Sequence, residues 1–324
     1  MKRERESGIL NQKLNYTVGG YNNCERGASV RKLNYFLINC AALILFLASA
    51  VFAGQIEFHV INVGQGDAMF FKMPAGEIVL IDGGAVNAGE RVVSYLKRSG
   101  VKRIDLLIAT HPHEDHIGGL ISVLGSFPVS AVWDPGFNLG TATQRRFLES
   151  VERSKAKFEI ASAGFYRRMG DAEIRVIAPV NSNSTQKGSA NSNSIIAHVS
   201  WKNISFLLMA DAEHRNRNMI ESYPRSTVLK ISHHGSRNGT TRPLLQRVDP
   251  RVAVVSYAEN NSYGHPHEEA LQLLEEFNIA LYSTPNGNIV LKSDGESYSV
   301  IYDNMDGRSL IDRIKSILDI FFRW

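Results

Sequence analysis

Residues 110–116 read Thr-His-Pro-His-Glu-Asp-His, three histidines and two acids within seven positions. The run IDLLIAT (104–110) leading into them is apolar and strand-like, so the histidines stand where a buried strand runs out. After them IGGLISVLGSF (117–127) has the spacing of a helix. A lone histidine at such a place would be an ordinary surface or core residue. The placement recurs, however: SHHGS (232–236) puts His233 and His234 after another strand-like run, and NSYGHPH (261–267) puts His265 and His267 after RVAVVSYA (251–258). Seven of the ten histidines therefore lie just past apolar strands, and in α/β sheets those carboxyl ends open onto one crevice.

The spacing suggests a use. A turn carrying His-x-His-x-Asp-His can aim His111 and His113 at one cation and Asp115 and His116 at another. Asp211, which closes ISFLLMAD (204–211), is the candidate to bridge them, with His233 or His234 completing the second group. Imidazole and carboxylate suit zinc, and also manganese or iron. Two such ions roughly 3.5–4 Å apart hold a hydroxide and clamp the attacking and leaving oxygens, which is hydrolase chemistry. Asp115 is accordingly placed among the catalytic residues as well as the ligands.

Composition narrows the field. Hydrophobic residues make up 44% of the 324 and charged residues 21%, which excludes a disordered chain. The net charge of +4 comes entirely from residues 1–53, whose seven Lys/Arg and three Glu leave 29 basic against 29 acidic groups beyond them. The body therefore has no global field for drawing in nucleic acid, and phosphate binding there must be local. Both cysteines, Cys24 and Cys40, fall in the first 53 residues, so the body has neither a disulfide framework nor a cysteine nucleophile. The apolar run Phe36–Ala53 follows Arg31 and Lys32 and closes on two A-x-A-type sequences. This reads as a secretory signal cleaved near Ala53, with an uncleaved membrane anchor as the rival reading. Export to the periplasm or beyond is expected either way.

The body opens with strand-like IEFHVINV (56–63), AMFFKM (68–73) and EIVLID (77–82), separated by turns as in an antiparallel sheet. Helical spacing follows in AGERVVSYLKRSG (88–100), and again in RRFLESVERSK (145–155) and EEALQLLEEFN (268–278). AEIRVIAP (172–179) is a strand, SIIAHVSWKNISFLLMAD (194–211) two strands about Lys202-Asn203, and ALYSTPNGNIVLKSDG (280–295) a hairpin pattern before a last strand, YSVIYD (298–303). The polar stretch 181–194 reads as a surface loop near function. In the tail, Leu310, Ile314, Ile317, Leu318 and Phe321 share one helical face, for packing or for a membrane surface. The expected division is residues 1–53 as extension and signal or anchor, 54–305 as one domain, and 306–324 as an amphipathic helix. No obligate protein partner is evident.

Taken together, HVINVGQGDAMF, IDGG (81–84), THPHEDHIGG, NSNS, ADAE, SHHGS and YGHPH resemble the hydrolase domain of ComEC-type competence proteins, within the metallo-β-lactamase fold. Phosphorylcholine esterases of the same fold share several of these motifs. The resemblance covers roughly residues 56–303 and implies an α/β (α+β) domain built as a four-layer αββα sandwich, with a dinuclear site at one edge. It also implies that Asp82 supports that site from behind the ligands. Asn62 stands where many relatives carry Asp. The chain shows no multi-span segment, so DNA import by itself is not expected of it.

β-Lactamases and glyoxalase-type members use a further histidine on the first ion. Here the only histidine between His116 and Asp211 is His198. With Lys202-Asn203 as a two-residue turn, His198 faces Leu207, about 13 Å along the strand from Asp211 at ~3.3 Å per residue. His198 is therefore expected to be structural, with Asn193 and Ser194 at the vacant end and the first ion the more weakly held. His265 and His267 are expected to hold a substrate phosphate or protonate a leaving oxygen. Gln65 and Asp67 lie in a tight loop beside the pocket, and either could meet substrate. The expected function is an exported hydrolase with two divalent ions, zinc or manganese. Its expected substrate is a phosphodiester, either nucleic acid or an envelope phosphoester. The alternatives are a β-lactamase- or lactonase-type hydrolase and a non-catalytic binding module.

Overall fold

The computed structural model describes residues 54–180, 188–212 and 220–303. The apolar run 36–53, residues 181–187 of the polar stretch and the amphipathic tail 309–324 lie outside the described residues.

Two sheets carry the domain. One contains β1 (Ile56–Val60), β2 (Met69–Lys72), β3 (Ile78–Ile81), β4 (Leu106–Ile108), β5 (Ala131–Asp134), β6 (Lys157–Ile160), β14 (Asn288–Ser293) and β15 (Tyr298–Asp303), in the order β15-β14-β1-β2-β3-β4-β5-β6. The other contains β7 (Tyr166–Met169), β8 (Ala172–Ala178), β9 (Ile196–Trp201), β10 (Ile204–Leu208), β11 (Val228–Lys230), β12 (Val252–Val255) and β13 (Ala280–Ser283), in the order β13-β12-β11-β10-β9-β8-β7. Each sheet is half antiparallel and half parallel: β3 to β6 run parallel in the first, β10 to β13 in the second.

Strand periodicity sets the layers. Val79 and Ile81 of β3 point between the sheets, while Ile78 and Leu80 point to the other face. Phe58 and Phe71 of the first sheet stack at 4.5 Å, and Phe206 of the second meets Phe71 edge-on at 5.0 Å, closing the inter-sheet core. On the outer face of the first sheet pack Val92 and Leu96 of α1 (Gly89–Arg98), Ile117 of α2 (Glu114–Ile117), Leu120 of α3 (Leu120–Ser126), and Phe147 of α4 (Ala142–Ser154). Leu244, Leu245 and Val248 of α5 (Arg242–Val248) and Leu274 of α6 (Glu268–Glu276) do the same for the second. Helices outside and sheets inside make the expected αββα sandwich. Because both faces are covered, the inner parallel strands β3, β4 and β12 are apolar throughout rather than alternating.

Two expectations need correction. The 280–295 stretch is not a hairpin: β13 pairs in parallel with β12, whereas β14 inserts between β15 and β1 of the other sheet. Thr284–Asn286 is a 3₁₀ turn that carries the chain between sheets. The helix read over 117–127 is two helices, α2 and α3, parted at Gly118-Gly119. By contrast the β9–β10 register opposes Trp201 to Ile204 and His198 to Leu207, as the two-residue turn requires.

Candidate metal centre

The parallel half of each sheet delivers its carboxyl ends to the same edge, where the polar residues collect. Asp82 follows β3 with φ 56°, a left-handed backbone that Asp tolerates better than most residues. His111 follows β4, and His113 caps α2. From the second sheet, Asp211 follows β10, while His233 and His234 follow β11, both with positive φ. This concentration of strained backbone marks a place where position matters more than local preference.

Close glycine contacts make the geometry attainable. A Cβ on Gly119 would lie 1.9 Å from the Gly83 carbonyl oxygen, and one on Gly66 (φ 120°) would lie 2.1 Å from that of Asp115. IDGG and HIGG are thus two halves of one contact, which seats the start of α3 against the end of β3.

The side chains fall into two groups. His111, His113 and Asp211 offer ligand atoms within 4.8 Å of one another, and so do Asp115, His116 and His234. Asp211 joins them: its Oδ2 lies 3.8 Å from His111 Nε2 and 3.3 Å from His116 Nε2, and its Oδ1 lies 3.6 Å from His234 Nε2. The rings are held from behind. Asp82 Oδ2 accepts from His116 Nδ1 at 2.8 Å and from the Thr110 hydroxyl at 2.7 Å, while Oδ1 accepts from the Thr110 amide at 2.8 Å. His234 Nδ1 donates to the Ser256 carbonyl at 2.9 Å. Both Nε2 atoms are thereby turned toward Asp211, the arrangement a metal-binding imidazole needs.

Charge at the centre is heavily coupled. Burial opposes ionisation of Asp211, yet His116, His234 and His111 together hold its carboxyl well below the usual range. Burial likewise opposes a charge on His116, but Asp211, Asp115 and Asp82 raise it well above the ordinary imidazole value. Burial, with His116 beside it, drives His111 well below it. The cluster thus calls for positive charge at its middle. His116 Nε2, His234 Nε2 and Asp211 Oδ1 are all buried with no hydrogen-bond partner, a costly state that metal coordination relieves. The donor set fits two divalent ions.

Comparison with known proteins agrees with this geometry. Residues 61–153 match the family model of the metallo-beta-lactamase superfamily. The chain carries a metallo-β-lactamase domain. It is homologous, at 27% identity over 273 residues, to ComE operon protein 3 of Bacillus subtilis, covering 78% of this chain and 35% of that protein. Recombination protein 2 of Haemophilus influenzae is 26% identical over 253 residues, covering 76% of this chain and 30% of that one. The chain thus spans about a third of the length of these curated relatives. Among solved structures, Zn²⁺-bound PqqB from Methylobacterium extorquens superposes with a TM-score of 0.50 at 9% identity, over 69% of this chain and 97% of that one, a likeness of fold.

Within the metallo-β-lactamase domain, a cavity of about 390 Å³ opens over Asp115, Asp211, His113 and His234, with Gln65 and His265 also in its wall. His233 lines it as well, its Nε2 lying 3.7 Å from Asp211 Oδ2, but His234 rather than His233 belongs to the ligand groups. His198 belongs to neither; burial pushes it down to about 4.

Other expected residues are placed differently. His267 does not line the cavity: it caps α6, and its Nδ1 accepts from the Arg237 amide at 3.0 Å. Burial and the neighbouring His233 and His234 bring His265 down to about 4, so at neutral pH its ring at the cavity wall is uncharged rather than a resident acid. Asp67 is fully buried and does not line the cavity. Asn193 turns its amide back to the Ser189 carbonyl at 2.8 Å, Ser194 is buried, and Asn191 reaches the cavity instead. The 3₁₀ turn Asn191–Asn193 rotates successive side chains apart, which the composition of NSNS does not reveal. Thr110, Ser256, Tyr263 and Lys230 were not singled out by motif; only the lysine left a sequence signal, as a charge in an apolar parallel strand.

Proposed function

We propose that this metallo-β-lactamase domain is a dinuclear-metal-dependent phosphodiesterase acting on nucleic acid. The observation that carries the metal chemistry is Asp211, whose two carboxylate oxygens serve the two ligand groups from between them. Superfamily members are generally metal-dependent hydrolases, in keeping with that arrangement. Bound there, two divalent ions, zinc or manganese, supply Lewis acidity and a nucleophilic water. The chain's own residues orient the reaction. Asp82 and Ser256 fix the rings of His116 and His234, and His265 offers an imidazole to a phosphate oxygen at the cavity wall.

The nucleic-acid reading draws on two further observations. Homologues named recombination protein 2 and competence protein ComA match most of this chain. At the cavity, Tyr263 is 64% exposed and stacks on His265 at 5.6 Å and 22°, presenting a flat face on which a base beside the scissile phosphate can lie. Its loop is fixed by Asn261, whose Oδ1 accepts from the amides of Tyr263 and His265. We also infer export directed by residues 36–53, with membrane contact through that run or through 309–324.

The test is to load the purified full chain with Zn²⁺ or Mn²⁺ and assay bis-p-nitrophenyl phosphate, linear single-stranded DNA and nitrocefin in parallel. Cleavage of the two phosphodiesters, lost in Asp115→Ala, is expected. Turnover of nitrocefin alone would overturn the proposal.

A further inference from the structure

Lys230, the last residue of β11, and Asp67, 163 positions earlier, are both completely buried. Lys230 Nζ donates to Asp67 Oδ2 at 2.9 Å and to the Ile231 carbonyl at 3.2 Å. Neither residue lines the cavity, so neither meets substrate there. Stability alone explains the pair poorly, because desolvating two charges costs about as much as their attraction returns. Well-packed apolar residues would serve a core at least as well.

What the pair touches suggests another role. Asp67 Oδ1 accepts from the Ser256 hydroxyl, and the Ser256 carbonyl accepts from His234 Nδ1 at 2.9 Å. The Asp67 amide donates to the Asp115 carbonyl at 3.1 Å, the same carbonyl against which Gly66 is pressed. One residue therefore reaches, through its amide, Asp115 from the first sheet and, through its carboxylate and Ser256, His234 from the second. Together with His116 these form a single ligand group. Asp67 also lies within ligand distance of Asp211 and His234, so without a cation of its own it would compete for the ion.

We propose that Lys230 and Asp67 act as a positioning pair for the ion held by Asp115, His116 and His234. The ammonium keeps Asp67 turned away from the metal and in place as the strut between the two sheets. This rests on the two-metal reading above. Lys230 acts through Asp67, and Asp67 through the Asp115 backbone and Ser256, so neither is a catalytic residue.

Zinc binding to the full chain tests the pair without an activity assay, using equilibrium dialysis and calorimetry, with near-ultraviolet circular dichroism to report the fold. The double variant Asp67→Asn/Lys230→Met removes both charges at similar shape, and Ser256→Ala removes one link while keeping both charges. The parent is expected to bind two zinc ions. Each variant is expected to bind one as the parent does and the other about 10- to 100-fold more weakly, the usual loss when a ligand's supporting partner is removed. Two ions of parental affinity in both variants would overturn the inference, as would equal weakening of both ions, the mark of general loosening. Should the double variant fail to fold, Ser256→Ala decides by the same outcomes. A parent chain that takes up no zinc overturns the two-metal reading itself, a result distinct from either of these.

Discussion

Asp211 is the residue whose loss should be felt most widely. It is 2% exposed and faces imidazoles of both groups, so Asp211→Asn removes the shared carboxylate from each. The expected result is a fall from two bound ions to fewer than one by elemental analysis, with phosphodiesterase activity down at least ~100-fold. Asp115→Ala, touching one group, should leave one ion in place. His198 marks the opposite case. Burial pushes it down to about 4 against the pull of Glu173. The unfolded chain accepts a proton near the ordinary imidazole value, while the folded protein resists until about 4. Stability is therefore present above about pH 6.5 and is lost as pH falls toward 4. In His198→Leu that decline should be smaller by about 1–3 kcal/mol in urea titrations at pH 7 and pH 4.5, with zinc stoichiometry unchanged. A loss of one ion would instead make His198 a ligand. These ligands were legible because each stands where an apolar run stops. Lys230 left only the mark of a charge within VLKI, which reads as an outward side chain until Asp67, just before β2 of the first sheet, is placed beside it.

Short elements carry the site, and their junctions are more exacting than their interiors. The break between α2 and α3 exists because the Gly119 amide donates to Gly84 O at 2.8 Å and the Gly83 amide to His116 O at 2.7 Å. No side chain fits there. Gly119→Ala should force the Gly83 carbonyl aside and cost about 3 kcal/mol or more. Scanning calorimetry would register a drop of about 6–12 °C, and an unchanged transition would mean that the two helix ends are free to part. Sequence periodicity found the strands buried on both faces and the β9–β10 turn, because burial and a two-residue loop both leave local marks. It missed β6 and β7, whose Phe158, Ile160 and Tyr166 are exposed edge positions without an apolar alternation. It misread β13 and β14 because Pro285-Asn286-Gly287 is turn chemistry that serves a crossing between sheets as well as a hairpin. A partner sheet is a non-local property, and nothing within residues 280–295 encodes it.

The sandwich as a whole closes on a centre that its own charges do not satisfy. Asp67, Asp82 and Asp211 are buried at the junction of the sheets with Asp115 beside them, and Lys230 offsets only Asp67. The inter-sheet aromatic core, including Phe58, Phe71 and Phe206, packs the two halves together beside this centre. Metal binding therefore has to act on the stability of the entire domain, since its ligands come from both sheets and the unfolded chain cannot assemble them. An ion at 100 times its dissociation constant adds about 2.7 kcal/mol to the folded state. For a domain of this size that corresponds to about 5–11 °C in the melting temperature. The chain treated with EDTA should accordingly melt at least ~5 °C below the chain in excess Zn²⁺, and readdition of zinc should restore the difference. Asp211→Asn should melt at the same temperature with and without zinc, since the carboxylate linking the sheets through metal is gone. A zinc-dependent rise in that variant equal to the parent's would place the stabilising ion elsewhere in the molecule.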